Sequence, residues 1–238
     1  KRGAAVDSRL FICVRGPWKK TPGSLTLGLH LAGALGWETL LLGLAEDRRS
    51  RDDVQRSLEA VRERFPGNAS RLSVQALNGD PASAILSVVG ASTGLVVVGP
   101  LGRSALLRRL WGPIASDLLV ALRSSLLFVP GEAPSELRRI LLPIGALSYS
   151  APAVEMGARI GKALGASVTL LHVVQPNVNA PAAMQAPTNL AGFLSSDTIY
   201  AQHFHWGLSQ LKEAQLDAVP RIRVGHPLQE ILAEMDST

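Results

Sequence analysis

Sliding the sequence along itself brings two stretches into register, and this internal repeat narrows the fold more than any other property of the chain. Arg9 to Val14 falls on Arg139 to Ile144, Pro22 on Pro152, and Ala34, Leu35 and Gly36 on Ala163, Leu164 and Gly165, at offsets of 130, 130 and 129. Farther on, Gly79, Pro81, Ile85 and Leu86 fall on Gly225, Pro227, Ile231 and Leu232 at an offset of 146. The second copy has therefore gained 17 residues between Gln175 and Arg221. The run 176–188, rich in Pro, Ala and Asn, reads as the loop of that insertion and is expected to be mobile. Two domains are expected, 1–133 and 134–238, with Pro130, Gly131 and Pro134 punctuating the join.

Each copy reads strand, helix, strand. Leu10 to Val14 and Ile140 to Ile144 are short apolar runs of the kind buried on both faces of a parallel sheet. In the second copy Ala153, Met156, Gly157, Ile160, Ala163 and Leu164 recur at helical spacing and predict one buried face, which Gly165 ends. Val168 to Val174 and its counterpart Thr39 to Leu44 read as the next strands. The first copy continues through a charged helix over Arg51 to Phe65, a strand over Leu72 to Leu77 and a helix over Asp80 to Val89. Leu95 to Val98 then reads as a buried strand, followed by a helix to about Leu122 and a closing strand over Ser125 to Val129. Strands alternating with helices imply an α/β fold of two doubly wound parallel-sheet units.

With 47% apolar and 18% charged residues, the 238-residue chain is too hydrophobic to stay disordered. One cysteine, Cys13, excludes an internal disulfide framework and a cysteine-rich zinc site, which favours a cytoplasmic setting. The net charge of +5 favours anionic partners, but 5% aromatic residues provide few platforms for stacked bases, so no nucleic-acid partner is expected. The longest apolar stretch, Leu25 to Ala45, carries His30 and Glu38 and is interrupted by four glycines, so it reads as helix then strand rather than a membrane span. A start on Lys1 without a signal pattern suggests a piece of something longer.

The most informative segment is Gly99, Gly102 and Arg103, then Gly112, Pro113, Ile114 and Ala115, following a strand and opening a helix. Glycine at a strand end lets backbone approach a ligand, and a helix start offers N–H groups and a positive dipole end to a phosphate. Arg103, Arg108 and Arg109 add charge within the loop. In open α/β sheets ligands bind beyond the carboxyl ends of the strands, where this loop lies.

With spacing G-x2-G-x9-G, this first copy resembles the universal stress protein family, whose nucleotide-binding members carry that pattern followed by Ser or Thr. The second copy resembles the family's opening in Ile140 to Ile144, Leu170 to Val174 and the exit Gly225 and Pro227. The resemblance implies an adenine nucleotide alpha hydrolase-like fold in both units and a site for ATP or AMP at Gly99, Gly102, Arg103, Gly112, Ile114 and Ala115. It brings no metal beyond nucleotide-bound Mg. Two departures weaken that site. Pro113 replaces the hydroxyl residue, and Arg15 and Gly145 stand where the family's first strand ends in Asp. The offset of 146 places a second glycine loop near residue 245, past Thr238, so the second copy is expected to be incomplete. By the same resemblance, Ser125 to Val129 is an edge that pairs with its counterpart in a homodimer.

Catalytic candidates are few. His30, His172 and His226 sit in a helix, a strand and a strand exit, and His203 and His205 form an H-x-H without further ligands. Cys13 lies in a buried strand, and there is no G-x-S-x-G elbow. The expectation is a stress-response regulatory or binding protein, not an enzyme, with a degenerate nucleotide loop. Two alternatives stand beside it: an ATP-binding member with weak hydrolysis, and a soluble regulatory domain of a membrane transporter or sensor kinase.

Overall fold

The computed structural model describes residues 9–18, 20–65, 69–90, 92–100, 113–129, 131, 137–145, 147–176 and 187–237. The chain divides into two compact units, Lys1–Glu136 and Leu137–Thr238. Both are α/β with parallel sheets.

The first unit runs β1 (Arg9–Arg15), α1 (Gly23–Leu35), β2 (Glu38–Ala45), α2 (Arg48–Arg64), β3 (Leu72–Asn78), α3 (Pro81–Val89), β4 (Leu95–Val98), α4 (Pro113–Ala121) and β5 (Ser125–Phe128). Its strands pair in parallel in the order β3-β2-β1-β4-β5. The apolar runs of β1 and β4 are buried on both faces, as a central parallel strand requires. One face of β1 presents Phe11 and Cys13 to a cluster containing Ile85 of α3 and Leu118 of α4. The other presents Ile12 to α1, where a Cβ on Gly28 would come within 2.8 Å of the Ile12 side chain.

Local chemistry sets the helix ends. Asp47 caps α2 by accepting the Ser50 N–H at 2.8 Å, and the Ser50 hydroxyl accepts the Asp47 N–H in return. Asp80 accepts the Ser83 N–H ahead of α3, whose first residue is Pro81. Helix α1 ends at Gly36 in the left-handed conformation, φ 62°, which glycine adopts without steric cost.

The second unit runs β6 (Arg139–Pro143), α5 (Leu147–Leu164), β7 (Ser167–Val174), α6 (Leu190–Leu194), α7 (Ile199–Glu213), β8 (Ala218–Val224) and α8 (Pro227–Ser237), with parallel strand order β6-β7-β8. Arg139 pairs with Ser167 and Val168 with Ala218. These pairs stand, at the sequence offsets above, where Arg9 pairs with Glu38 and Thr39 with Leu72. On α8, Leu228, Leu232 and Met235 are exposed by 61, 51 and 59%. In α3 the residues 146 positions earlier include Ala82 and Val89, both buried.

One helical face differs from the expectation. Met156 and Gly157 are buried as expected, whereas Ala153 is exposed, Ile160, Ala163 and Leu164 are half-buried, and α5 also buries Val154, Ala158 and Gly161. The missing side chains at Gly157 and Gly161 govern the approach: a Cβ on Gly157 would lie 2.6 Å from Leu142, and one on Gly161 3.2 Å from Val168 and Leu216. The insertion also differs in kind from a plain loop, because α6 follows directly on its described end and contributes buried Phe193. Residues 177–186 of the expected loop lie outside the described residues. Among the described residues no helix is long and apolar enough to cross a membrane.

The close approach of α2 to β2 supplies a stability test. A Cβ on Gly43 would lie 2.4 Å from Val54 Cγ1 and 2.9 Å from Leu58 Cδ1, both on fully buried side chains that have no room to withdraw. Gly43→Val and Gly157→Val should each lower stability by about 1–3 kcal/mol in urea denaturation. Gly33→Ala, with nothing within 4 Å of its Cβ, should be neutral or stabilising by up to about 1 kcal/mol.

Candidate functional site

In the first sheet the chain leaves β1 towards β2 and reaches β4 from β3, so the connections diverge at the carboxyl ends of β1 and β4. Such a switch point is where open α/β sheets form a crevice. The residues arriving there are Arg15 and Gly16 after β1, the first turn of α1, and Gly99 after β4.

Gly99 packs against α1. A Cβ built on it would lie 2.5 Å from Ser24 Oγ and 3.0 Å from Ser24 Cβ, so only glycine fits beneath that turn. Ser24 itself is 1% exposed, and its hydroxyl has no hydrogen-bond partner among the described residues. The space that a side chain on Gly99 would need is taken by Ser24, whose hydroxyl is left buried and unpartnered. The first turn of α1 has no side-chain cap at Pro22 and no acidic residue, so its positive end is uncompensated by the helix itself.

Of the residues expected to hold a nucleotide, Gly99 lies at the crevice, and Ile114 and Ala115 lie in the first turn of α4, whose leading N–H groups have no intrahelical acceptor. The Ile114 side chain packs into the core, leaving its backbone for any ligand. Gly102, Arg103 and Gly112 lie outside the described residues, as do Arg108 and Arg109. Gly99 and the opening turn of α4 thus lie at the same end of the first sheet, and Pro113 brings neither hydroxyl nor N–H.

Arg15 stands where the resemblance leads one to look for Asp. Its Nη2 lies 2.8 Å from Glu46 Oε1, just past β2, so the end of β1 carries a cation tied to the neighbouring strand end. Sequence reasoning found Arg15 but missed both Glu46 and Ser24. The two members of the ion pair are separated by 31 residues, and nothing local joins them. Ser24 did leave a trace, because the offset of 130 sets it against Val154, a fully buried apolar position of α5.

The remaining candidates are structural. His172 is buried on β7, its Nδ1 2.8 Å from the Ile144 carbonyl oxygen and its ring stacked on Phe193 at 4.8 Å. Burial holds its pKa below the ordinary histidine value, the Ile144 bond opposing in part. His203 and His205 fall on α7, where residues two apart point about 200° away from each other and cannot share a ligand. His205 Nε2 instead contacts the Leu194 carbonyl at 2.9 Å. His30 and His226 are exposed, and no group of three metal-ligating side chains occurs among the described residues.

Comparison with known proteins gives the fold a context. A model of the universal stress protein family matches residues 136–238. No curated protein matches the chain. Three solved structures are similar: a universal stress protein from Archaeoglobus fulgidus, at 14% identity and TM-score 0.58 over 97% of this chain and 84% of that one; an assigned universal stress protein from Pseudomonas aeruginosa, at 14% and 0.63 over 98% and 80%; and a protein of unknown function from the same species, at 15% and 0.65 over 98% and 79%.

Beside the crevice, Cys13 is wholly buried in β1, and desolvation pushes its thiol up to about 12. The native thiol keeps its proton where the unfolded thiol loses it, so the unfolded state binds fewer protons above pH 9 and stability should fall as pH rises from 9 towards 12. Native protein at pH 8 should resist a chromogenic thiol reagent and release one equivalent of colour only on denaturation.

Proposed function

We propose that this chain is a nucleotide-responsive binding protein of the universal stress protein type, with a weak site for ATP or AMP in the first unit. The observation that carries the reading is Gly99 at the switch point, packed on a buried hydroxyl without a partner at an uncapped helix start. The family match over residues 136–238 and the shared fold support placing both units in one architecture, as two tandem copies. When bound, the nucleotide supplies phosphate charge; the chain's part is to orient it with Gly99, Gly102, Arg103 and Gly112 and the N–H groups of Ile114 and Ala115. Any Mg arrives with the nucleotide. Binding rather than turnover is the role that this reading gives the site. A regulatory part in the cytoplasmic stress response follows from this reading.

Pro113 and Arg15 each remove a polar contact of roughly 1 kcal/mol, so affinity should be about ten- to thirtyfold below that of a site retaining both. Ligand at 100 times its dissociation constant should stabilise the first unit by about 2.7 kcal/mol, within reach of a thermal-shift assay. Millimolar ATP or AMP should raise the melting temperature of the wild type, and Gly102→Asp should abolish the shift. A wild type that shows neither a thermal shift nor calorimetric heat would sink the nucleotide reading.

The same reading extends to assembly. Strand β5 ends the first sheet and its residues Ser125 to Phe128 are half-buried, leaving one backbone edge unpaired within the sheet. Two copies pairing through Ser125 to Val129 would form a homodimer. Light scattering should report about twice the mass of one chain at micromolar concentration, and Leu126→Pro, which removes an N–H from the outward edge because Ser125 and Val129 turn theirs to β4, should shift it towards the monomer.

A further inference from the structure

A buried hydroxyl without a partner is unusual enough to require an explanation, and Ser24 has a specific setting. It is the second residue of α1, a 13-residue helix whose N-cap, Pro22, carries no capping group. Its Oγ is buried against the end of β4, where a Cβ on Gly99 would come within 2.5 Å of it. The pairing of Leu25 N and Thr26 N with the Pro22 carbonyl leaves the earlier N–H groups of Gly23 and Ser24 at the free end of the helix.

Packing alone does not call for a hydroxyl here. The position matched in the second unit is Val154, equally buried and joined to an apolar cluster. A hydroxyl with no acceptor costs stability in that environment, so a serine at this position needs a compensating partner. Across the crevice, α4 opens on Pro113, where the nucleotide-binding pattern has a hydroxyl residue.

We propose that Ser24 is a phosphate-binding residue: its hydroxyl donates from α1 to a phosphoryl oxygen of the bound nucleotide. This rests on the nucleotide reading above. It narrows the contact to the phosphate end of the ligand, because the hydroxyl lies between a helix start and a glycine backbone and faces no base-reading group among those described.

The experiment compares the 238-residue chain with its Ser24→Ala variant, using ATP, pyrophosphate and adenosine as probes in calorimetry and thermal shift. Without ligand, Ser24→Ala should melt at the same temperature as the wild type or higher, since it removes an unsatisfied polar group. Its affinity for ATP and pyrophosphate should fall about tenfold, while adenosine binding stays unchanged. A ligand-free variant that melts lower would mean that Ser24 bonds within the protein, by a direct contact or a buried water, and would overturn the proposal. Unchanged affinity for ATP and pyrophosphate would overturn Ser24 alone and leave the nucleotide reading standing. An equal loss for adenosine would move the contact away from the phosphates and also overturn it. Failure of the wild type to bind any of the three probes would remove both proposals together.

Discussion

Parallel pairing of β1 with β2 on one side and with β4 on the other is the constraint from which the crevice follows. Parallel neighbours cannot be joined by a hairpin, so every connection must cross over through a helix, and right-handed crossovers running in opposite directions from a central strand put helices on both faces. The alternation along β1 records this: Ile12 meets α1, while Phe11 and Cys13 meet the cluster of α3 and α4. Gly99 and Ser24, 75 residues apart in sequence, meet because their elements converge where the two connections part. The crevice is thus a product of strand order, and its chemistry is decided by a few residues at strand and helix ends.

Those end residues were unevenly legible. Strands such as Leu95–Val98 are bounded apolar runs with one structural solution, and their burial follows directly from composition. Gly99 could be read because a glycine after a buried strand has few other uses. Ser24 could not, since within an apolar helix a serine reads as a neutral substitution until the neighbour beneath it is known to lack a side chain. The buried face of α5 was read only in part: Met156 and Gly157 fall on it, but Gly161, which sets the approach to Val168 by the side chain it lacks, gives periodicity nothing to weigh. The Arg15 and Glu46 pair depends on strand adjacency, which neither residue signals locally.

The insertion gives the second unit a core of its own. Phe193 from α6 is fully buried, stacks on His172 and meets Phe204 of α7 edge-on, at 5.7 Å between ring centroids. Aromatic residues are scarce in this chain, and their concentration here explains how a three-stranded sheet can bury Leu170, Val168 and Leu142 beneath two helices. Beside it, the Arg223 guanidinium reaches Glu234 at 2.5 Å and Glu230 at 3.4 Å, joining the edge strand β8 to α8 where apolar contact is thin. Glu234 is therefore buried with its charge paired.

Pro143 has an effect that its place in β6 alone does not suggest. Ile144 donates its N–H to Leu171, and the Arg138 carbonyl accepts from Ser167, so alternate residues of β6 from 138 to 144 turn their backbone groups towards β7. Leu141 and Pro143 accordingly face the outer margin of the sheet, which is the side that β1 gives to β4. There Pro143 occupies the position of Cys13, and proline has no N–H to donate. An extended segment pairing along that margin would find one rung of the ladder missing, an omission that acts without any charge.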